Sequence, residues 1–220
     1  MHPITVVTSP IDAEQEMAQF GLTLPVAQKV ARAASAGRAS ALDIDVAFAP
    51  GMFSHIYGHR QLRRELLPRG WRLGRQNNVE SVVNDELAIQ IVFQNVDLAC
   101  DLAHSPQAIS GKGAGARKLV QDGLQGELWD KPTIGINPGQ TVTRYGLAPS
   151  VWMFCVSDDG KRLRAELSKP ENFEGNQFGR FSKRIFVLDE EIGDHSENLV
   201  VPPSNDDDIG MDVEVEVVRR

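Results

Sequence analysis

The feature that most constrains the fold is a pair of β-rich runs joined by a short turn in the second half of the chain. Residues 150–156 and 162–168 flank the sequence Asp-Asp-Gly-Lys at positions 158–161. Asp-Gly between two such runs is a strong signal for a β-hairpin, because these residues accept the backbone conformations that a tight turn requires. A second pair of runs, residues 79–83 and 88–93, also predicts a hairpin.

One helical pattern stands out before the sheet. Residues 53–67 form the best amphipathic helix of the chain, with Phe53, Leu62 and Leu66 on its apolar side. Pro68 follows directly and predicts the end of this helix, since proline cannot continue a helical hydrogen-bond ladder.

Shorter helices are predicted nearer the N-terminus. Asp12 and Thr23 are residues that can cap a helix, and each is followed by a helical pattern. Residues 42–48 alternate weakly between apolar and polar, and Pro50-Gly51 predicts a break after them. Together these patterns predict an α+β fold, with N-terminal helices packed on a largely antiparallel β-sheet.

The length and the hydrophobic content of 41% suit a single domain spanning residues 1–220. Within it we predict an N-terminal helical part at residues 1–50 and a long connection rich in Gly and Pro at 126–146. An acidic loop at 193–210 precedes a terminal strand at 211–218, where valines alternate with acidic residues.

Several classes of protein are not indicated. The longest apolar run, residues 88–93, is far shorter than the roughly 18 residues that cross a bilayer. The N-terminal residues lack the basic and apolar regions of a secretory signal. Two cysteines, Cys100 and Cys155, do not make a disulfide framework. We therefore predict a cytoplasmic protein without a membrane partner.

The charge of the chain is unevenly distributed. Residues 186–220 hold eleven acidic and two basic residues, a local net charge of −9 in a chain whose overall net charge is −7. The remaining residues are therefore mildly basic, and residues 59–75 hold six arginines against one acid, Glu65. Two interpretations stay open. These arginines pair with acids elsewhere, such as those of the C-terminal strand, or they bind a polyanion.

A glycine-rich basic stretch lies at residues 110–118, with the sequence Ser-Gly-Lys-Gly-Ala-Gly-Ala-Arg-Lys. Glycines let backbone N–H groups approach an anion, and Lys112, Arg117 and Lys118 supply positive charge. The stretch is not a Walker loop, because Gly follows Lys112 where Ser or Thr belongs. A flexible basic loop and an anion-binding loop remain as alternatives.

Candidates for catalysis are weak. The nuclease-like sets are Asp158 or Asp159 with Glu166 and Lys169, and Asp97 and Asp101 with Lys112. Two residues separate Glu166 from Lys169, which puts their side chains on opposite faces of a strand. His55 and His59 share a helix face, but the sequence lacks the glutamate of a His-Glu-x-x-His zinc motif, so we predict a structural or surface pair.

Five short segments carry a resemblance to other proteins. They are Phe-Gly-Leu-Thr at 20–23, Leu-Leu-Pro-Arg-Gly-Trp at 66–71, Ala-Ile at 88–89, Lys-Gly at 112–113 and Arg-Ala-Glu-Leu-Ser at 164–168. In these the chain resembles, along most of its length, a family of uncharacterised bacterial proteins that also carry an acidic C-terminal stretch. The resemblance implies a bacterial, cytoplasmic, single-domain protein, and it adds no catalytic residue.

We predict a non-catalytic protein that binds a macromolecule, without cofactor or metal. Nucleic acid or a nucleic-acid-handling protein is favoured as the partner. The predicted binding residues are Arg60, Arg63, Arg64, Arg69, Arg72, Lys112, Arg117 and Lys118. Two alternatives remain: a metal-dependent nuclease or other phosphate-processing enzyme, and an acidic inhibitor or nucleic-acid mimic that presents residues 206–216 to a basic protein.

Overall fold

In the computed structural model, which describes residues 4–76, 78–110, 114–128 and 148–193, seven strands form one sheet. The strands are β1 (Thr5–Val7), β2 (Arg72–Gln76), β3 (Val79–Asn84), β4 (Ile89–Asn95), β5 (Ser150–Asp158), β6 (Arg162–Glu174) and β7 (Gln177–Glu191). They lie in the order β1-β7-β6-β5-β4-β3-β2. The pairs β4–β5 and β1–β7 are parallel, and the other neighbouring pairs are antiparallel.

Helices cover both faces of this sheet. They are α1 (Pro10–Ala18), α2 (Leu24–Ala39), α3 (Ala49–Leu66) and α4 (Ala114–Leu128), and a 3₁₀ turn, Leu67–Arg69, follows α3. The three N-terminal helices pack on one face, while α4 and the loop after β4 pack on the other. The predicted α+β class, with N-terminal helices on a largely antiparallel sheet, is confirmed.

The core beneath α1–α3 joins the amphipathic helix to both hairpins. Its members include Leu62 and Leu66 from α3, Trp71 from the segment after it, and Ile91, Trp152 and Ile185 from three strands. Period-two patterning puts such side chains on one face of a sheet, and the apolar side of an amphipathic helix covers them. The hairpins and α3 therefore share one core.

The start of α3 differs from the prediction. The helix begins at Ala49, so that Pro50 and Gly51 lie in its first turn and do not form a break. Proline is tolerated there, because its fixed φ suits the helix and its missing N–H would have no intrahelical acceptor. Proline in the first turn, which we interpreted as a break, marks the start of this helix.

Other predictions are corrected or fall outside the described part. Residues 96–110 form a loop without a helix, and α4 follows it and continues to Leu128. The predicted connection at 126–146 begins inside α4, and its remaining residues lie outside those described. The acidic loop after Gly193 and the terminal strand at 211–218 also lie outside the described residues.

Among the described residues, no helix combines the length and the apolar character that crossing a membrane requires.

Candidate functional site

Most arginines of the segment 59–75 have acidic partners close to them in the fold. Arg63 and Arg75 both contact Glu80 of β3, with 2.6 Å between Arg63 Nη2 and Glu80 Oε2. The guanidinium of Arg72 holds both carboxylate oxygens of the buried Asp85, at 2.9 Å and 3.0 Å. The acids that neutralise these arginines therefore come from the hairpin of β3 and β4.

The fourth paired arginine is Arg69, which donates to the backbone carbonyl of Glu65 at 2.8 Å and lies 3.6 Å from its carboxylate. Lys29 of α2 contacts the same carboxylate at 2.7 Å. The hydrogen bond from Lys29 is the main cause that lowers the pKa of Glu65, and Gln61 and Arg69 add to it. The pKa of Glu80 is lowered mainly by its hydrogen bond from Arg75, and the hydrogen bond from Arg63 adds to the effect.

Arg60 and Arg64 differ from these four. Both are exposed on α3, and neither has a carboxylate partner among the residues that the structure describes. The Arg60 guanidinium lies over the ring of Tyr57, 4.9 Å from its centroid. The positive charge that α3 offers to solvent is therefore concentrated in these two side chains.

The glycine-rich basic stretch lies elsewhere. Arg117 donates to the carbonyl of Gly175 in the β6–β7 turn, and Lys118 lies 3.7 Å from Asp122 on the same helix. These residues belong to α4, which covers the face of the sheet opposite α3. Lys112 lies outside the described residues. The two predicted basic regions are thus not brought together.

The most unusual surface feature is a series of exposed apolar side chains at the start of α3 and in the loop before it. Ile44 is 90% exposed, and Phe48 is 66% exposed. We define the apolar strip as Leu42, Ile44, Val46, Phe48, Met52 and Ile56, each of which is at least 41% exposed. Single exposed apolar residues are ordinary, but a concentration of them in one short stretch of chain is typical of an interaction surface.

Local hydrogen bonds hold the strip in this outward position. The N–H of Asp45 donates to the carbonyl of Leu42, and the N–H of Leu42 donates to the Asp45 carboxylate at 2.9 Å. The N–H of Ala49 donates to the carbonyl of Val46 at 2.8 Å. Two consecutive turns therefore fix the loop, and its apolar side chains do not turn inward.

The first turns of α3 are also tied to the sheet. The Asn95 side chain, at the end of β4, donates to the carbonyl of Gly51 at 2.8 Å and accepts from the Ser54 hydroxyl at 3.0 Å. A cleft of about 530 Å³ opens beside these contacts, and its lining includes Phe48 and Met52 of the strip and Ile109. Asn95 thus ties the first turns of α3, which carry Met52, to the end of β4.

Charged residues of opposite sign flank the strip. Asp43 and Asp45 are exposed at its loop end, and neither has a cationic side chain as partner among the described residues. Arg60 and Arg64 follow Ile56 on the exposed face of α3. The acidic residues therefore lie within the loop part of the strip, and the basic residues lie beyond its helical part.

The histidine pair lies beside this surface. The rings of His55 and His59 are 4.5 Å apart, and His59 also packs against Phe93. Burial, with the positive charges of His55 and Arg63 adding to it, lowers the pKa of His59 to about 3. No cluster of three or more potential metal ligands occurs in the described part of the chain. A neutral, buried His59 fits the predicted structural role.

Glu166, the acid of one nuclease-like set, is fully buried. Its Oε1 accepts hydrogen bonds from Ser168 at 2.6 Å and from Arg184 at 2.8 Å. Its Oε2 accepts from the N–H of Cys100 at 2.6 Å and from Arg184 at 2.7 Å. Lys169 contacts the ring of Trp152 on the other face of the sheet, as the spacing predicts. Both oxygens of Glu166 are thus engaged.

The two carboxylates of the second nuclease-like set also make hydrogen bonds within the fold. The Asp97 carboxylate accepts from the N–H of Gln107 at 2.8 Å and contacts His104 at 3.0 Å. Asp101 accepts from the N–H groups of Ala103 and His104. Hydrogen bonds of this kind shape the loop after β4.

Sequence reasoning found the arginines but missed the apolar strip. The only signal was the weak alternation at residues 42–48, and an alternating pattern normally predicts a half-buried strand. In the structure these residues form turns, and each of residues 42–48 is exposed.

Comparison with protein-family models, with curated proteins and with solved structures gives no match for this chain.

Proposed function

We propose that the protein is a non-catalytic binding protein that engages a protein partner through the apolar strip and the charges that flank it. The observation that carries this proposal is the exposure of six apolar side chains in one loop and the first half of the helix that follows it. Burying apolar area is the main favourable term in protein association, at roughly 25 cal/mol per Å². A partner that covers the strip removes this area from water.

A protein partner is favoured over nucleic acid. Four of the six arginines at residues 59–75 are already engaged by Glu65, Glu80 and Asp85. Nucleic-acid affinity depends on several cations that contact phosphates together. Arg60 and Arg64 alone supply few such contacts, and Asp43 and Asp45 at the other end of the strip would repel a phosphate backbone. The chemistry of the strip fits a protein surface better.

The alternatives find less support. The acids of both nuclease-like sets make structural hydrogen bonds, so a nuclease would have to use other residues. The inhibitor or mimic hypothesis rests on residues 206–216, which lie outside the described part, and it stays a prediction. A cytoplasmic location is supported by Cys100 and Cys155, which form no disulfide.

Affinity capture from a native-host lysate tests the proposal. The tagged full chain is compared with Ile44→Asp and Phe48→Asp, which place a charge in the strip. Ile11→Asp is the matched control, because Ile11 is 72% exposed but lies on α1, outside the strip. We expect the wild type and the control to retain the same proteins, and the two strip variants to lose them.

Salt and nuclease treatment separate the two classes of partner. An apolar contact keeps its partner at about 500 mM salt, whereas phosphate contacts that hold at about 50 mM are lost over this range. We expect retention to be insensitive to nuclease. Capture of nucleic acid that salt releases, or an identical set of proteins on the strip variants, would contradict the proposal.

A further inference from the structure

We propose that the partner on the apolar strip is a second copy of this chain, bound by antiparallel packing of α3 on α3 about a two-fold axis. This inference rests on the proposed function and names the partner of the same surface. The distribution of charges motivates it: Asp43 and Asp45 lie among the apolar side chains of the loop, and Arg60 and Arg64 follow the helical part of the strip. Such a surface is complementary to itself when one copy is turned around.

The length of α3 fits this arrangement. The helix has 18 residues and extends about 27 Å at 1.5 Å per residue. A two-fold axis near Met52 brings Phe48 of one copy against Ile56 of the other, because both residues are four positions from Met52. The same axis puts Arg60, eight positions away on the other side, beyond the N-terminal end of the partner's α3, which the loop that carries Asp43 precedes.

Neighbouring charges support the choice of these ends. Near Arg60 and Arg64 on α3, Glu65 is paired with Lys29 of α2, and Arg63 is paired with Glu80. Arg38 of α2 lines the cleft beside Phe48 and Met52. Asp43, Asp45, Arg60 and Arg64 have no partner of opposite charge among the described residues. Across a two-fold axis, the acidic residues of each copy can pair with the basic residues of the other, so each dimer contains two such contacts.

The affinity should be modest. One helix and one loop from each copy make an interface smaller than the standard size, so we expect a dissociation constant of about 1–100 µM. The apolar side chains supply most of the affinity, and the charges at the ends fix the antiparallel orientation.

Sedimentation equilibrium of the full chain tests the inference. The weight-average mass should rise from the monomer value of 24.2 kDa towards twice that value as the concentration increases from about 5 to about 500 µM. Met52→Asp should weaken association at least about 30-fold, because it puts a charge at the centre of the interface. Ile11→Asp should associate as the wild type does. Circular dichroism checks that each variant is folded.

A charge exchange tests the orientation. Arg60→Glu alone and Asp43→Lys alone should each weaken association about 10-fold, since each puts like charges together twice per dimer. An equimolar mixture of the two variants should recover nearly wild-type association, because opposite charges then meet at both ends. Asp45 is left unchanged, since its carboxylate shapes the loop by accepting from the N–H of Leu42.

A wild type that stays monomeric throughout, or a mixture that associates no better than either variant, would overturn the inference. The experiments also distinguish failure of this inference from failure of the proposed function. A monomeric wild type that still captures another protein through the strip leaves the proposed function standing and removes only the second copy as its partner. A chain that neither self-associates nor captures any protein through the strip removes both.

Discussion

At the residue scale, His59 couples the folding of α3 to pH. The side chain is 6% exposed, and its Nδ1 has no hydrogen-bond partner among the residues that the structure describes. Burial is the main reason that its pKa falls to about 3, and the nearby His55 and Arg63 lower it further. The imidazole is therefore neutral in the folded protein at every pH above this value.

The first prediction follows from the difference between folded and unfolded pKa. Between about pH 3 and the unfolded value of about 6.5, the unfolded chain binds a proton at His59 that the folded chain does not bind. Stability is fully present above pH 6.5 and is lost as the pH falls. From pH 7 to pH 5 the loss due to His59 should be about 2 kcal/mol. Urea unfolding at several pH values measures it.

Two variants separate this effect from other titrating groups. His59→Phe keeps a ring beside Phe93 and removes the titration, so its stability should change less between pH 7 and pH 5. His55→Gln changes the exposed neighbour and should keep most of the wild-type pH dependence. Equal pH dependence in the wild type and His59→Phe would contradict the prediction.

At the element scale, α3 lies unusually close to the sheet at one point. A Cβ atom built on Gly58 would overlap the ring of Phe93 in β4. A Cβ atom built on Gly51, in the first turn of the same helix, would meet no atom from another part of the described chain within 4 Å. The helix thus contains two glycines, of which only Gly58 is required by packing.

The second prediction compares these two glycines. Gly58→Ala should destabilise the protein by about 1–3 kcal/mol, because overpacking outweighs the better helix propensity of alanine. Gly51→Ala should leave stability unchanged or raise it by up to about 1 kcal/mol. Thermal unfolding of both variants measures the difference. Similar midpoints for both would show that Phe93 moves aside.

The elements differ in how far the sequence could predict them. Both hairpins followed from period-two runs and turn residues such as Asp159-Gly160, because these signals are local. The predicted start of α3 was wrong, because Pro50 is compatible both with a break and with a first helical turn. The parallel pairing of β4 with β5 has no local signal, since α4 and more than fifty residues separate the two strands.

The candidate site was predicted only in part. Arg60 and Arg64 were named, but their difference from Arg63 and Arg72 depends on Glu80 and Asp85, which the fold brings close. Exposure of the residues at 42–48 depends on turns whose hydrogen bonds the sequence pattern did not reveal. Both features are tertiary, so a pattern of residue types could not predict them.

At the scale of the whole molecule, a buried ion pair joins two layers. Glu166 of β6 and Arg184 of β7 are 0% and 2% exposed, and Arg184 also donates to the carbonyls of Asp101 and His104. The N–H of Cys100 donates to the Glu166 carboxylate. The pair therefore anchors the loop after β4 against the sheet.

The third prediction concerns this anchor. Glu166→Gln leaves the Arg184 charge buried without a carboxylate, which should cost about 3–5 kcal/mol. Glu171→Gln is the matched control, because it breaks the pair with Arg180, in which both side chains are more exposed, and should cost less than about 1 kcal/mol. Urea unfolding measures both. An equally small loss for both variants would show that the loop does not depend on the pair.

The position of β1 has a consequence for how the chain folds as it is synthesised. This strand pairs in parallel with β7, where Thr5 lies opposite Lys183 and Val7 opposite Ile185. The helix after it, α1, also packs on β7. Residues near the N-terminus thus emerge from the ribosome well before their partner strand does. Until β7 is available, β1 has no strand to pair with, so we expect its docking to be a late step in folding.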